Sequence, residues 1–219
     1  MLLTKQPRRD FLYGLLVAVL AGGCAMAMRA PSAPPAPVKV PAGKEVATFA
    51  AGCFWSMEAI FKQLKGVVSV EPGYAGGRVA HPSYEEVESG MTGHAESVQI
   101  VFDPKVISYG DLLRVLLTVR DPTTLNQQGP DVGPQYRSVI FYHNEAQHRM
   151  AQEMIRKITA ERLWPHPIVT TVTPFTNFYR AEDYHLDYYR RHPDQEYCRF
   201  VIAPEIANFR AKFKSKLKN

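Results

Sequence analysis

The chain is poor in sulfur nucleophiles: its 219 residues hold 3 cysteines, Cys24, Cys53 and Cys198. Three thiols do not make a disulfide scaffold, and a chain of this length buries a core without one. Also missing are the G-x-G-x-x-G turn of dinucleotide-binding proteins, the Walker phosphate loop and any Cys/His set with zinc spacing. Those gaps argue against a nicotinamide, nucleotide or zinc enzyme. No internal repeat and no second linker is visible, which excludes a solenoid or an array of domains. The apolar run over residues 11–20 is too short for a comfortable membrane span. Charge of one sign is scarce as well. The formal net charge is +5, much of it from Lys5, Arg8 and Arg9 at one end and Lys212, Lys214, Lys216 and Lys218 at the other. Basic ends do not make a binding face, so no nucleic-acid partner is expected.

What is present begins with an export-like start. "QPRRDFLYGLLVAVLAGGCAMA" runs from charged to apolar to small residues. The paired Arg8 and Arg9 before "DFL" resemble a twin-arginine signal, which implies export to the periplasm or cell envelope. Two processing routes fit. "AGGC" resembles the lipobox that makes Cys24 a lipidated first residue, with Ala21 where leucine is usual; "AMA" at 25–27 suits ordinary cleavage. The Pro/Ala-rich stretch at 30–43 reads as a tether and favours the first route. The expected division is a signal at 1–27, a tether at 28–44, a catalytic domain at 45–213 and a basic tail at 214–219.

The domain shows helix and strand periods in alternation. "EVATFAAG" reads as a strand, and "FWSMEAIFKQLKG" as a helix with Phe54, Met57, Ile60, Phe61 and Leu64 on one face. "SVQIVFDP" alternates like a half-buried strand. Ser108 and Asp111 have capping-box spacing at the head of an apolar helix, and Asn144 with Gln147 opens another. "SVIFYH" and "IVTTVTPF" complete the strands. The pattern predicts a mixed α/β or α+β two-layer domain on one sheet. Residues 71–95 and 121–137 read as long irregular loops, and such loops are commonly functional.

Cys53 stands between "AAG" and "FWSMEAIF", at a junction of strand and helix. A helix N-terminus favours thiolate by roughly 0.3–1 kcal/mol, so Cys53 is a candidate nucleophile as well as a candidate core residue. In an exported protein Cys53 and Cys198 could equally form a structural bridge. Glu96, at the end of "TGHAE", is a candidate general acid if burial keeps it protonated. His94 and His185 are the histidines open to a dyad with Cys53, which would make a Cys/His hydrolase or acyltransferase. A third reading is a lipid-tethered binding module with a permanent disulfide. A thiol enzyme without a bound cofactor is the reading that remains.

Taken in order, "GCFWSMEAIF", "GYAGG", "YEEVESGMTGHAESVQIVFDP", "DPTTLNQQGPDVGPQYRSVIFYHNEAQ", "AEDYHLDYY" and "YCRFVIAPEIANF" resemble the A-type peptide-methionine sulfoxide reductases. The resemblance implies an α+β two-layer α/β sandwich with a ferredoxin-like mixed sheet. It also implies reduction of the S epimer of methionine sulfoxide, one enzyme serving each epimer. By the same resemblance Cys53 is the catalytic cysteine, Phe54 and Trp55 form the pocket for the substrate methyl group, and Tyr74 and Tyr136 bind the sulfoxide oxygen. Glu96 is the acid, Asp131 completes the polar network, and Cys198 is the resolving cysteine. The partners implied are oxidised proteins or peptides and an external thioredoxin-like dithiol, with no bound cofactor or metal and a monomeric enzyme. Four positions depart from the pattern: Ser56, where glycine or a further cysteine is common; Arg120, where histidine is frequent; and Pro130 and Pro134, in place of asparagine and threonine.

Overall fold

A computed structural model of the chain describes residues 38–218. The export signal, Cys24 and the first part of the tether lie outside the described residues. Six strands form one mixed sheet in the order β7-β6-β1-β3-β2-β8. The central strands are β1 (Glu45–Ala50) and β3 (Ala95–Phe102), which pair antiparallel with Phe49 opposite Val98. On one side β3 pairs with β2 (Val67–Ala75), and β2 with β8 (Phe178–Arg180), both antiparallel. On the other, β1 pairs antiparallel with β6 (Val139–Tyr142), and β6 pairs parallel with β7 (Thr171–Pro174). Both central strands are buried along nearly their whole length.

Four helices frame or brace the site: α1 (Phe54–Phe61), α2 (Tyr84–Glu88), α3 (Tyr109–Val119) and, after the sheet is complete, α6 (Ala203–Lys212). Two others, α4 (Glu145–Ala160) and the single turn α5 (Tyr188–Arg191), complete the set. The core joins Phe49 and Ile100 of the sheet to Phe54, Ile60 and Phe61 of α1, Leu112 and Leu116 of α3, and Ile206 and Phe209 of α6. This is the expected α+β mixed sheet with helices packed on it.

Local chemistry explains most boundaries. Ser108 Oγ accepts the Asp111 N–H at 3.0 Å while Asp111 returns a bond to the Ser108 amide, so the anticipated capping box starts α3. Asn144 Oδ1 accepts the Gln147 N–H, but Gln147 spends its side chain on Val46 and His143 instead of closing a box.

The stretch 71–95 differs from its expectation as an irregular loop. Its first part is strand β2, continuing through Tyr74, and its middle is α2, headed by a capping box between Ser83 and Glu86. Proline and glycines mask this strand in sequence, yet Pro72 and Gly73 sit in register with Val98 and Ser97. The stretch 121–137 is irregular save for two short strands, β4 (Gln127–Gln128) and β5 (Asp131–Val132), and a 3-10 turn at Pro134–Tyr136. Pro134 opens that turn, where a missing N–H costs nothing. Residues 214–218, expected as a basic tail, pack back on the fold: the Lys65 N–H donates to Lys216 O and the Lys218 N–H to Gln63 O, both at 2.8 Å.

Candidate active site

The turn Ala51–Gly52–Cys53 carries the chain from β1 into α1. Gly52 has φ +78, and a Cβ there would run into the Arg120 guanidinium and the Gln128 side chain, so only glycine makes this turn. Its N–H donates to Tyr136 O at 3.1 Å, which ties the turn to the loop carrying Asp131. Cys53 is thereby the N-cap of α1, 5% exposed, with no side-chain capping bond of its own.

The first amides of α1 are shared between two acidic groups. The Phe54 N–H donates to Glu96 Oε2 at 2.8 Å, and the Trp55 N–H faces the Cys53 sulfur. Glu96 comes from the second position of β3 and is 2% exposed. Burial raises its pKa well above the usual carboxylate range, the Phe54 amide opposes this, and the charges of Glu88 and Asp131 add to the rise. Burial therefore favours the neutral carboxylic acid over the carboxylate. Cys53 behaves likewise. Burial and the proximity of Glu96 push the thiol up, and they outweigh the Trp55 amide and the Tyr197 hydroxyl, which favour the anion. The expectation that the helix terminus would activate the thiol is thus corrected: desolvation outweighs the helix terminus, and both Cys53 and Glu96 are pushed toward their protonated forms.

Around this pair stand four tyrosines. The Tyr197 hydroxyl bridges Cys53 to Asp131, donating to Asp131 Oδ2 at 2.6 Å. Tyr136 donates to Glu88, 3.1 and 3.0 Å from its two oxygens, and feels the charge of Glu96. Tyr84, half-buried on α2, is raised by burial and by the charges of Glu96, Glu88 and Cys53. Tyr74 lies opposite Glu96 in the β2–β3 register, but its ring is fully buried and its hydroxyl donates to Glu182 Oε2 at 2.7 Å. Tyr74 is therefore not placed to greet a substrate. Tyr84, by contrast, lies in the field of Glu96, Glu88 and Cys53.

The aromatic wall divides in two. Trp55 is half-exposed, stacks on Tyr188 at 3.7 Å with the rings 7° from parallel, and donates Nε1–H to His185 Nδ1 at 3.0 Å. Phe54 is wholly buried and backs the site, against Tyr74, Tyr84 and His185. Neither histidine pairs with Cys53. His94 accepts from the Gly77 N–H at 3.1 Å and reaches Val79 O at 2.7 Å, while His185 is fixed by Trp55 with Nε2 3.7 Å from Glu182. Burial lowers the pKa of both rings, so both are neutral spacers.

Cys198 begins a π-helical turn at Cys198–Ile202 that leads into α6, and its thiol is free, buried and 3.6 Å from Gln195 Oε1. Cys53 is free too. The neighbouring Tyr197, however, reaches the Cys53 site. Reading the sequence missed Tyr84, Glu88, Tyr197 and Glu182. For the first two a signal existed: Ser83 and Glu86 have capping-box spacing, and Tyr84 and Glu88 sit four residues apart on the helix that it starts.

Two departures from the family pattern prove to be one feature. Arg120, 2% exposed, donates to Ala51 O at 2.8 Å and to Ser56 Oγ at 3.1 Å, and pairs with Glu205 of α6, which also accepts from Ser56.

A dry thiol, a neutral carboxylic acid and phenolic donors at the head of one helix define a thiol enzyme that handles a polar, reducible or acylable group. The family model described as peptide methionine sulfoxide reductase matches residues 45–217. A peptide methionine sulfoxide reductase from Thermus thermophilus is 57% identical over 175 residues, covering 80% of this chain and 98% of that protein. One from Saccharolobus solfataricus is 52% identical over 174 residues, covering 80% and 97%. Among solved structures, Mxr1 from Saccharomyces cerevisiae in reduced form matches with a TM-score of 0.69 at 36% identity, covering 74% of this chain and 93% of that one. Methionine sulfoxide reductase A of Corynebacterium diphtheriae matches at 0.63 and 33%, covering 69% and 76%. The chain belongs to the peptide methionine sulfoxide reductase family.

Proposed function

We propose that the protein is a thiol-dependent oxidoreductase that reduces the S epimer of methionine sulfoxide, in proteins and peptides, to methionine. The observation that carries this reading is the burial of Cys53 beside an equally buried Glu96, whose carboxyl burial pushes well above the usual carboxylate range. A sulfoxide sulfur resists attack until its oxygen is protonated or strongly hydrogen-bonded, and a neutral acid in a dry pocket supplies that. Glu96 donates to the oxygen, with Tyr84 as a further donor and Tyr136 as another once its hydroxyl turns from Glu88 to the substrate, while Trp55 offers a flat apolar wall for the methyl group. Cys53 attacks the sulfur as its own proton leaves through the Tyr197 hydroxyl to Asp131. The oxygen passes to Cys53 as a sulfenic acid and methionine departs.

Cys198 then condenses with the sulfenic acid, forming a disulfide and releasing water, and an external thioredoxin-like dithiol restores both thiols. The Arg8–Arg9 signal supports work in the cell envelope, with Cys24 as a lipid anchor. Incorporation of labelled palmitate that a Cys24→Ser change abolishes would establish the anchor; a protein recovered unlabelled in the soluble fraction would refute it.

The assay that tests the reaction supplies excess dithiol and separate S and R sulfoxide peptides. The S peptide is reduced, the R peptide is not, and Cys53→Ser removes the activity. Turnover of neither epimer, or full turnover without Cys53, would overturn the reading.

A further inference from the structure

Glu88 takes no part in that reaction, yet it touches both sides of the oxygen-binding corner. It rides on α2 four residues after Tyr84, half-exposed, and its two oxygens take the Tyr136 hydroxyl at 3.1 and 3.0 Å. A side-chain hydrogen bond joins it to Glu96. Two carboxyl groups can share such a bond only when one of them holds a proton. The arrangement decides which. Glu96 Oε2 is committed to the Phe54 amide and the group is buried, whereas Glu88 reaches solvent and already accepts a phenol. Both differences favour the proton on Glu96, with Glu88 as its acceptor.

We infer that Glu88 is a positioning residue for the acid: its carboxylate holds the Glu96 carboxyl and the Tyr136 hydroxyl in one hydrogen-bonded array. The negative charge of Glu88 also opposes ionisation of Glu96. This rests on Glu96 being the acid. When Glu96 gives its proton to the sulfoxide oxygen, two carboxylates face each other. That repulsion favours recovery of the proton before the next turnover.

The groups facing Glu96 are Cys53 at the head of α1, Tyr74 on β2, Tyr84 and Glu88 on α2, Asp131 on β5 and Tyr136 on the 3-10 turn. All are neutral or acidic. Removing the charge of Glu88 therefore takes away an influence that raises Glu96, and no cation in that set compensates. The tyrosines lie too high to interfere, and ionisation of Cys53 would sharpen the nucleophile and so work against an alkaline loss.

The test is the pH profile of kcat/KM for reduction of the S sulfoxide peptide by the whole protein with excess dithiol. In Glu88→Gln the alkaline limb moves to lower pH while the acidic plateau remains. A purely structural role for Glu88 would lower the rate at every pH without moving the limb, and a limb that coincides with that of the parent overturns the proposal. Infrared titration provides a readout without turnover. In a Cys53→Ser background the carboxylic C=O band of Glu96, assigned by its loss in Glu96→Gln, disappears at lower pH once Glu88 is Gln or Ala; an unmoved band overturns the proposal as well. If Glu96→Gln itself keeps parental activity and limb, the acid assignment has failed and not the Glu88 contact.

Discussion

Tyr74 and Tyr84 show how one residue's role depends on which way the fold turns its hydroxyl. Tyr74 shares a rung of the sheet with Glu96, which makes it close, but its hydroxyl is spent on Glu182. Burial works to raise Glu182, yet the bonds from the Tyr74 hydroxyl and the Tyr84 N–H at 2.9 Å prevail and hold it below the usual carboxylate range. Tyr74 is thus half of a buried clamp under α2, while Tyr84 keeps its hydroxyl in the field of Glu96 and Cys53. Tyr84→Phe should lower kcat by about 10²-fold, the lower end for loss of one oxyanion donor, with Tm unchanged. Tyr74→Phe should do the reverse, costing about 1–2 kcal/mol for an orphaned partner and little kcat. Rate measurements and thermal melts on the two variants check this; equal kinetic effects would contradict the division of roles. That Cys53, Glu96 and Trp55 lie at the ends of regular elements was legible, because short motifs fix them there. The Tyr74 assignment failed because a motif gives proximity along the chain and not the direction of a side chain across a sheet.

At the scale of elements, the buried arginine explains how α1, α3 and α6 are held at one point. Arg120 ends α3, its guanidinium grips Ala51 O just before the catalytic turn, and its other contacts are Ser56 on α1 and Glu205 on α6. A buried arginine needs such partners, since an unpaired charge in the interior is expensive. Arg120→Met strands Glu205 and empties the bond to Ala51. It should cost about 3 kcal/mol, or roughly 6–12 °C in Tm for a domain of this size. Calorimetry reads this directly, and a Tm within a degree of the parent would show the cluster to be dispensable. None of this network was visible in sequence, where Ser56 and Arg120 stood as unrelated departures. Periodicity revealed α1, α3 and α4 because a one-sided apolar stripe is local; which helix ends meet is settled only by the packing of the sheet between them.

For the molecule as a whole, the proposed Cys53–Cys198 disulfide demands a motion. In the reduced protein Cys198 lies in the core with its thiol on Gln195, and Cys53 is closed beneath Tyr197. A disulfide needs sulfur atoms about 2 Å apart, so one segment must yield. The anchors say which. Beyond the π-helical turn, α6 is held by Glu205 to Arg120 and by the Arg210 bond to Gln63 at 2.6 Å, and the end of the chain by Lys216 and Lys218 to the loop after α1. Residues 191–196, by contrast, are all exposed, and the π-turn at Cys198–Ile202 interrupts the regular α-helical hydrogen-bond ladder. Local opening follows the least-anchored stretch. One turnover without reductant should therefore raise amide exchange between residues 192 and 202 and leave 203–218 as protected as in the reduced protein. Mass spectrometry of the two forms decides. Exchange spreading through α6 would mean that the C-terminal segment leaves as a unit, and exchange unchanged throughout would mean that Cys198 does not come to Cys53 at all.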